Sequence, residues 1–124
     1  MGIQIKRVYD EPSSSDGTRV LVDRLWPRGV SKEDARLDAW LKQVAPSPDL
    51  RRWWDHDPAR LEEFGARYRA ELDTEPETAA AVQELRTLIT CDERTKTTTT
   101  LLYGARDPKV NHAAILAEYV IGGA

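Results

Sequence analysis

Much is missing from this chain, and each absence excludes something. Cys91 is the only cysteine, so no internal disulfide can form and nothing points to secretion. His56 and His112 are the only histidines. They lie far apart with no cysteine motif between them, so no metal-ligand spacing is present and no metal site is expected. No run approaches the ~18 apolar residues of a membrane span. The opening Met-Gly-Ile-Gln-Ile-Lys has no apolar signal region, nor the Ser or Thr that myristoylation after Gly2 would want. The glycine spacing matches neither the phosphate-binding loop nor the dinucleotide fingerprint, so no cofactor is named. A net charge of −3 with interspersed signs gives no field favouring nucleic acid or an anionic membrane. The expectation is a cytoplasmic protein, one domain over residues 1–124, with a core that closes without staples.

What is present centres on Val20–Gly29, Val-Leu-Val-Asp-Arg-Leu-Trp-Pro-Arg-Gly. A strand-like apolar run ends in Asp23, Arg24, Trp26, Pro27 and Arg28, and Gly29 then breaks the chain. A buried strand emptying into a charged, aromatic, stiffened loop is where α/β proteins place their binding sites. Arginine outnumbers lysine thirteen to five, which suits anion recognition or reflects a GC-rich genome.

Ile3, Ile5 and Val8 alternate with polar residues and predict a first strand to Tyr9. The Pro-, Ser- and Asp-Gly-rich stretch of residues 11–17 is too short for a helical crossover. The first strand should therefore run antiparallel to the second, Thr18–Leu25, or sit apart from it. Leu37–Val44 reads as a short helix or irregular segment, with a third strand at Trp40–Val44 as the alternative. Cap residues open several helices: Ser31, Ser47 before Pro48, Asp57 before Pro58, Thr74 with Glu77, and Asp107 before Pro108. The helix from Asp57 has an inner stripe of Leu61, Phe64, Tyr68 and Leu72 and an outer ladder of Glu63, Arg67 and Glu71. The Thr74 helix should end near Ile89, with Cys91 at or just beyond its end as a small buried or half-buried residue. Threonines 97–100 with Leu101, Leu102 and Tyr103 predict the last strand. Ala113, Leu116 and Val120 would face inward from the last helix, and the tail from Gly122 to Ala124 should fray.

The predicted fold is a single three-layer α/β, Rossmann-like domain with a small mixed, mostly parallel sheet flanked by helices. If the second and last strands are parallel neighbours, the loops after them lie side by side at their carboxyl ends. Arg24, Arg28 and Arg106 would bring positive charge there. Asn111 and His112 would occupy the first turn of the following helix. The expected partner is a small anion, a phosphate or carboxylate, met by Asp23, Arg24, Trp26, Arg28, Tyr103, Asn111 and His112, with His56 nearby. Asp23 and Arg24 alternate along a strand, so at most one should point into the crevice. In an enzyme, His112 or Asp23 would be the acid–base group and the arginines the anion clamp, although no nucleophile stands out. The competing reading is a non-catalytic protein- or nucleic-acid-binding module using Arg51, Arg52, Trp53 and Trp54.

Several blocks carry a family likeness. They are Arg7–Asp10, Asp16-Gly17, Leu21–Gly29, Ala45–Ser47, Leu50–Trp53, His56–Pro58, Phe64, Arg67-Tyr68, Glu71-Leu72, Leu101–Tyr103 and Asn111–Ala113. Together they resemble the YeaO-like branch of the family called domain of unknown function 488. The resemblance implies a small cytoplasmic bacterial Rossmann-like domain with no established activity. Other branches carry Cys-x-Glu and Cys-His-Arg near the last strand and helix. Here Tyr103 and Ala105 replace the first pair, and Asn111-His112-Ala113 replaces the triplet, so that their thiol or metal chemistry is not implied.

Overall fold

The computed structural model describes residues 2–107 and 110–122. Its sheet contains β1 (Gly2–Arg7), β2 (Thr18–Leu21), β3 (Ala39–Trp40) and β4 (Thr98–Tyr103) in the order β1-β4-β2-β3, all parallel. The helices are α1 (Lys32–Ala35), α2 (Pro48–Trp54), α3 (Leu61–Thr74), α4 (Pro76–Arg94) and α5 (His112–Gly122). This is an α/β architecture of the Rossmann-like kind, with a wholly parallel sheet and flanking helices. No helix among the described residues is long and apolar enough to cross a membrane.

Of the two expectations for β1, the antiparallel one is wrong. β1 sits apart from β2, with β4 between them, and runs parallel to both. The intervening residues achieve this without a helical crossover. A turn after Arg7 reverses the chain, and a 3-10 turn at Ser14–Asp16 is held by a capping box between Ser13 and Asp16. Gly17 then passes so close to β4 that a Cβ there would lie 2.1 Å from the Thr98 carbonyl oxygen, at a φ of +63°. Asp16 fastens this connection. Its carboxylate receives the Ser13 N–H at 3.0 Å, Lys6 at 3.0 Å and Arg19 at 2.5 Å, and its carbonyl accepts the Thr100 hydroxyl at 2.6 Å.

The two faces of the sheet are unequal. Val20, Val22, Leu101 and Tyr103 bury themselves in the main core with α2, α3, α4 and α5. Within it, the one phenylalanine, Phe64, stacks on Trp54 with ring centroids 3.9 Å apart, and Tyr68 stacks on Phe64 at 5.7 Å. Among the described residues the opposite face holds the buried hydrophobics Val8, Leu21 and Leu102, with Trp26 and Leu37 against them and the buried polar Arg19 and Thr100 beside them. It is covered by the β1–β2 connection and by the end of α1, whose Ala35 carbonyl accepts two bonds from Arg19. The third layer is therefore thin and polar.

Local chemistry explains most boundaries. Ser31, Ser47 and Asp57 accept backbone N–H groups as caps. Asp57 opens a 3-10 turn (Pro58–Arg60) that leads into α3. Residues 37–44 divide between the two readings, with β3 followed by a 3-10 turn at Lys42–Val44. Glu63 pairs with Arg67, but Glu71 leaves the expected ladder. It accepts the Ser47 N–H at 2.9 Å and hydroxyl at 2.6 Å, pinning the start of α2 to α3. The Thr74–Glu77 box does not form, because the Thr74 hydroxyl bonds back to the Ala70 carbonyl and α4 starts at Pro76 without a side-chain cap. α4 also runs past Ile89 to Arg94, which leaves Cys91 exposed in its last turn. Pro108 and the tail at 123–124 lie outside the described residues. α5 starts at His112 rather than near Asp107, with the Asn111 side chain accepting the Ala114 N–H at 2.9 Å.

Candidate functional site

β2 and β4 are parallel neighbours, with Leu21 opposite Leu102, so the loops that leave them emerge side by side. Between them opens a cleft of about 270 Å³. Asp23, Arg24, Leu25, Trp26 and Pro27 form one wall, and Gly104, Ala105 and His112 form another. Tyr9, from beyond β1, and Ala45 and Pro46, from beyond β3, complete the strand-end rim, while Arg51, Trp54 and His56 contribute from α2 and its end.

The wall after β2 is stiff because its polar atoms are tied down. The Trp26 indole donates to the Val30 carbonyl at 2.6 Å, and its ring meets Trp40 edge-on at 5.4 Å. The Trp40 indole donates to the Asp23 carbonyl at 2.7 Å, and the Tyr9 hydroxyl to the Arg28 carbonyl at 2.9 Å.

Asp23 and Arg24 both line the cleft, contrary to the alternation expected of strand neighbours. β2 ends at Leu21 and the chain bends at Arg24 and Leu25, so strand geometry no longer applies. Asp23 accepts the Gly104 N–H at 2.8 Å and approaches the His112 Nε2 at 3.4 Å. Nε2 also lies 2.9 Å from the Val22 carbonyl, and two acceptors around one nitrogen require it to carry the proton. Burial pushes the His112 pKa below its ordinary 6.5; Arg51 and His56 push the same way, while Asp23 and the Val22 carbonyl oppose them. The imidazole is thus neutral at pH 7.

Two arginines line this cleft, and Arg24 also borders a neighbouring hollow that contains Asp49, Glu71, Glu75 and Glu77. Arg24 donates to the Ala45 carbonyl at 3.1 Å and the Pro46 carbonyl at 3.3 Å, which positions it without neutralising it. The Arg51 guanidinium has no hydrogen-bond or ion-pair partner among the described residues. His56 stands at the rim with its ring 4.6 Å from Trp54. It follows Asp55, and both have left-handed backbone, at φ of +52° and +48°. Asp55 adopts it as the C-cap of α2, with its N–H bonded to the Arg51 carbonyl.

The cleft thus gathers Asp23, Arg24, Trp26, His56 and His112 from the sequence candidates. It does not gather the other three. Arg28 is exposed and outside, with its carbonyl held by Tyr9. Tyr103 is buried in the core, where burial and then Asp10 raise its phenol pKa. Asn111 is fully buried and used at both ends, donating to the Asp107 carbonyl while it caps α5. Arg106 lines an adjoining hollow with His56 and Gly104. Arg51, Tyr9 and Leu25 join the crevice without being among the sequence candidates for it. For Arg51 a signal existed, since it precedes Trp54 by three residues and shares its helix face. Within the alternative patch, Trp54 is buried and Trp53 lies under Arg67 and Arg60, at 4.4 and 5.3 Å from its ring centroid.

A family model described as the inactive DUF488-N3 subclade matches residues 2–122. The chain belongs to that family. It is 43% identical over 120 residues to the uncharacterised protein YeaO of Escherichia coli K12, covering 97% of each chain. It is 42% identical over 120 residues to the uncharacterised protein Rv3073c of Mycobacterium tuberculosis H37Rv, covering 97% of this chain and 94% of that one. A Mycobacterium bovis relative, uncharacterised protein Mb3100c, matches to the same extent. No solved structure matches this chain. These relatives support the YeaO-like family assignment, and each is described as uncharacterised.

Proposed function

We propose that this is a cytoplasmic protein that binds a small anion, a phosphate or carboxylate, in the cleft at the carboxyl ends of β2 and β4. One observation carries the reading. Arg24 and Arg51 line the same cavity, and neither is paired with a carboxylate among the described residues. Guanidinium groups not engaged by a carboxylate recognise carboxylate and phosphate, and here two of them share the cavity with one carboxylate, Asp23, which is turned to the Gly104 N–H and His112. His56 adds a donor at the rim. A cytoplasmic setting suits the lone exposed thiol of Cys91. Binding without turnover fits the description of the subclade as inactive.

The test is thermal shift at low ionic strength with orthophosphate and acetate on the wild type, Arg51→Ala and Arg52→Ala. Arg52 is an exposed control, already paired with Asp49 on the outer side of α2. The wild type and Arg52→Ala should be stabilised by the anion, and Arg51→Ala should need about tenfold more of it. Equal responses in all three proteins, or none in any, would overturn the proposal.

A further inference from the structure

We propose that the anion is carried on a planar aromatic ring, so that the ligand is a monocyclic aryl phosphate or aryl carboxylate. This rests on the anion-binding reading and narrows it. Two large apolar side chains in the cleft are left open to solvent: Leu25 is 68% exposed and Tyr9 45%. Tyr9 is anchored by its hydroxyl on the Arg28 carbonyl, and Leu25 directly precedes the anchored Trp26. The flanking hydrogen bonds of Tyr9, Trp26 and Trp40 hold this wall in place. It therefore presents apolar surface with its ordering cost already met, which favours an apolar partner. Trp54 and Pro46 stand in the same cavity, so a ring entering it meets apolar groups from more than one element.

Charge complementarity places the other end of the ligand, since Arg24 and Arg51 sit in this same cavity. A bare inorganic anion would satisfy the guanidinium groups and leave uncovered Leu25 and the part of Tyr9 that Arg7, 5.1 Å from its ring centroid, does not shield. A neutral ring would do the reverse. Size sets the upper bound. An apolar cavity of about 150 Å³ accommodates one benzene molecule. The 270 Å³ here takes one ring with its anionic group and is too small for a dinucleotide.

The experiment is isothermal titration with five compounds: orthophosphate, phenyl phosphate, acetate, benzoate and phenol, on the wild type and Leu25→Ser. Leu25 is too exposed for its loss to unfold the protein. Phenyl phosphate should bind about tenfold tighter than orthophosphate, or benzoate about tenfold tighter than acetate, which roughly 60 Å² of newly covered apolar surface supplies. Whichever pair shows the gain identifies the head group. Leu25→Ser should lose most of that gain and keep its affinity for the bare anion. Parity between ring-bearing and bare anions overturns this inference and leaves anion binding standing. Phenol binding as tightly as phenyl phosphate, or no binding by any anion, overturns both.

Discussion

The Asp23 carboxylate accepts the Gly104 N–H at 2.8 Å, and this bond joins the loop leaving β2 to the loop leaving β4. The absence of a side chain at position 104 eases it, because a Cβ there would stand 3.0 Å from the same carboxylate oxygen and Asp23 would have to give way by a few tenths of an ångström. Gly104→Ala should therefore displace Asp23 and destabilise the fold by about 1–2 kcal/mol, the worth of a charged hydrogen bond partly lost. Urea unfolding checks this, and an unchanged midpoint would show that the Asp23 carboxylate accommodates a methyl group without loss of the bond.

His112 makes the protein sensitive to mild acid. Burial, then Arg51 and His56, keep its folded-state pKa below 6.5, against the opposing pull of Asp23 and the Val22 carbonyl. Above 6.5 both folded and unfolded forms are neutral and the stabilisation is complete. As the pH falls from there towards the folded pKa, the unfolded chain takes up the proton first and stability declines. Proton NMR should find His112 titrating below 6.5, and Arg51→Ala should raise its midpoint. Titration at or above 6.5 in the wild type would contradict the burial argument.

Gly17→Ala should be among the most damaging small substitutions in the chain. It places a Cβ 2.1 Å from the Thr98 carbonyl at a φ of +63°. The β1–β2 connection would have to lift from β4 and loosen Asp16 from Arg19 and Lys6. The expected loss is at least about 2 kcal/mol. A thermal midpoint within a degree of wild type would rule out this tight crossing.

Tyr68→Phe removes only the hydroxyl that donates to the Val44 carbonyl. Tyr68 is fully buried, and so is Val44, so the carbonyl loses that partner where water has little access. The cost should be about 1–3 kcal/mol in chemical unfolding. Phe64→Ala, which opens a void between Trp54 and Tyr68, should cost about 3–5 kcal/mol. If the first cost exceeded the second, the aromatic stack would not be the centre of the core.

The parts legible from sequence were those decided locally. Ser31, Ser47 and Asp57 cap because their side chains reach backbone groups two or three residues on, whatever the tertiary fold. The crevice requires β2 and β4 to be parallel neighbours, and they are. The direction of β1 was not legible. A parallel return without a helix depends on Gly17 slipping past Thr98, a contact between distant residues that leaves only a turn-like composition behind. Asp23 and Arg24 were separated by a rule that assumes a continuing strand, and the bend at Arg24 and Leu25 suspends it. From sequence Arg51 belongs to the competing binding surface of residues 51–54, and only the packing of Trp54 brings it to the strand ends.

The most direct test of anion binding in this cleft is amide chemical-shift mapping during titration with orthophosphate. The account predicts shifts concentrated at Asp23–Trp26, Arg51, His56, Gly104 and Ala105, saturating together and fading as salt screens the guanidinium groups. Shifts centred on Arg52, Trp53 and Arg67, or none that saturate, would contradict it.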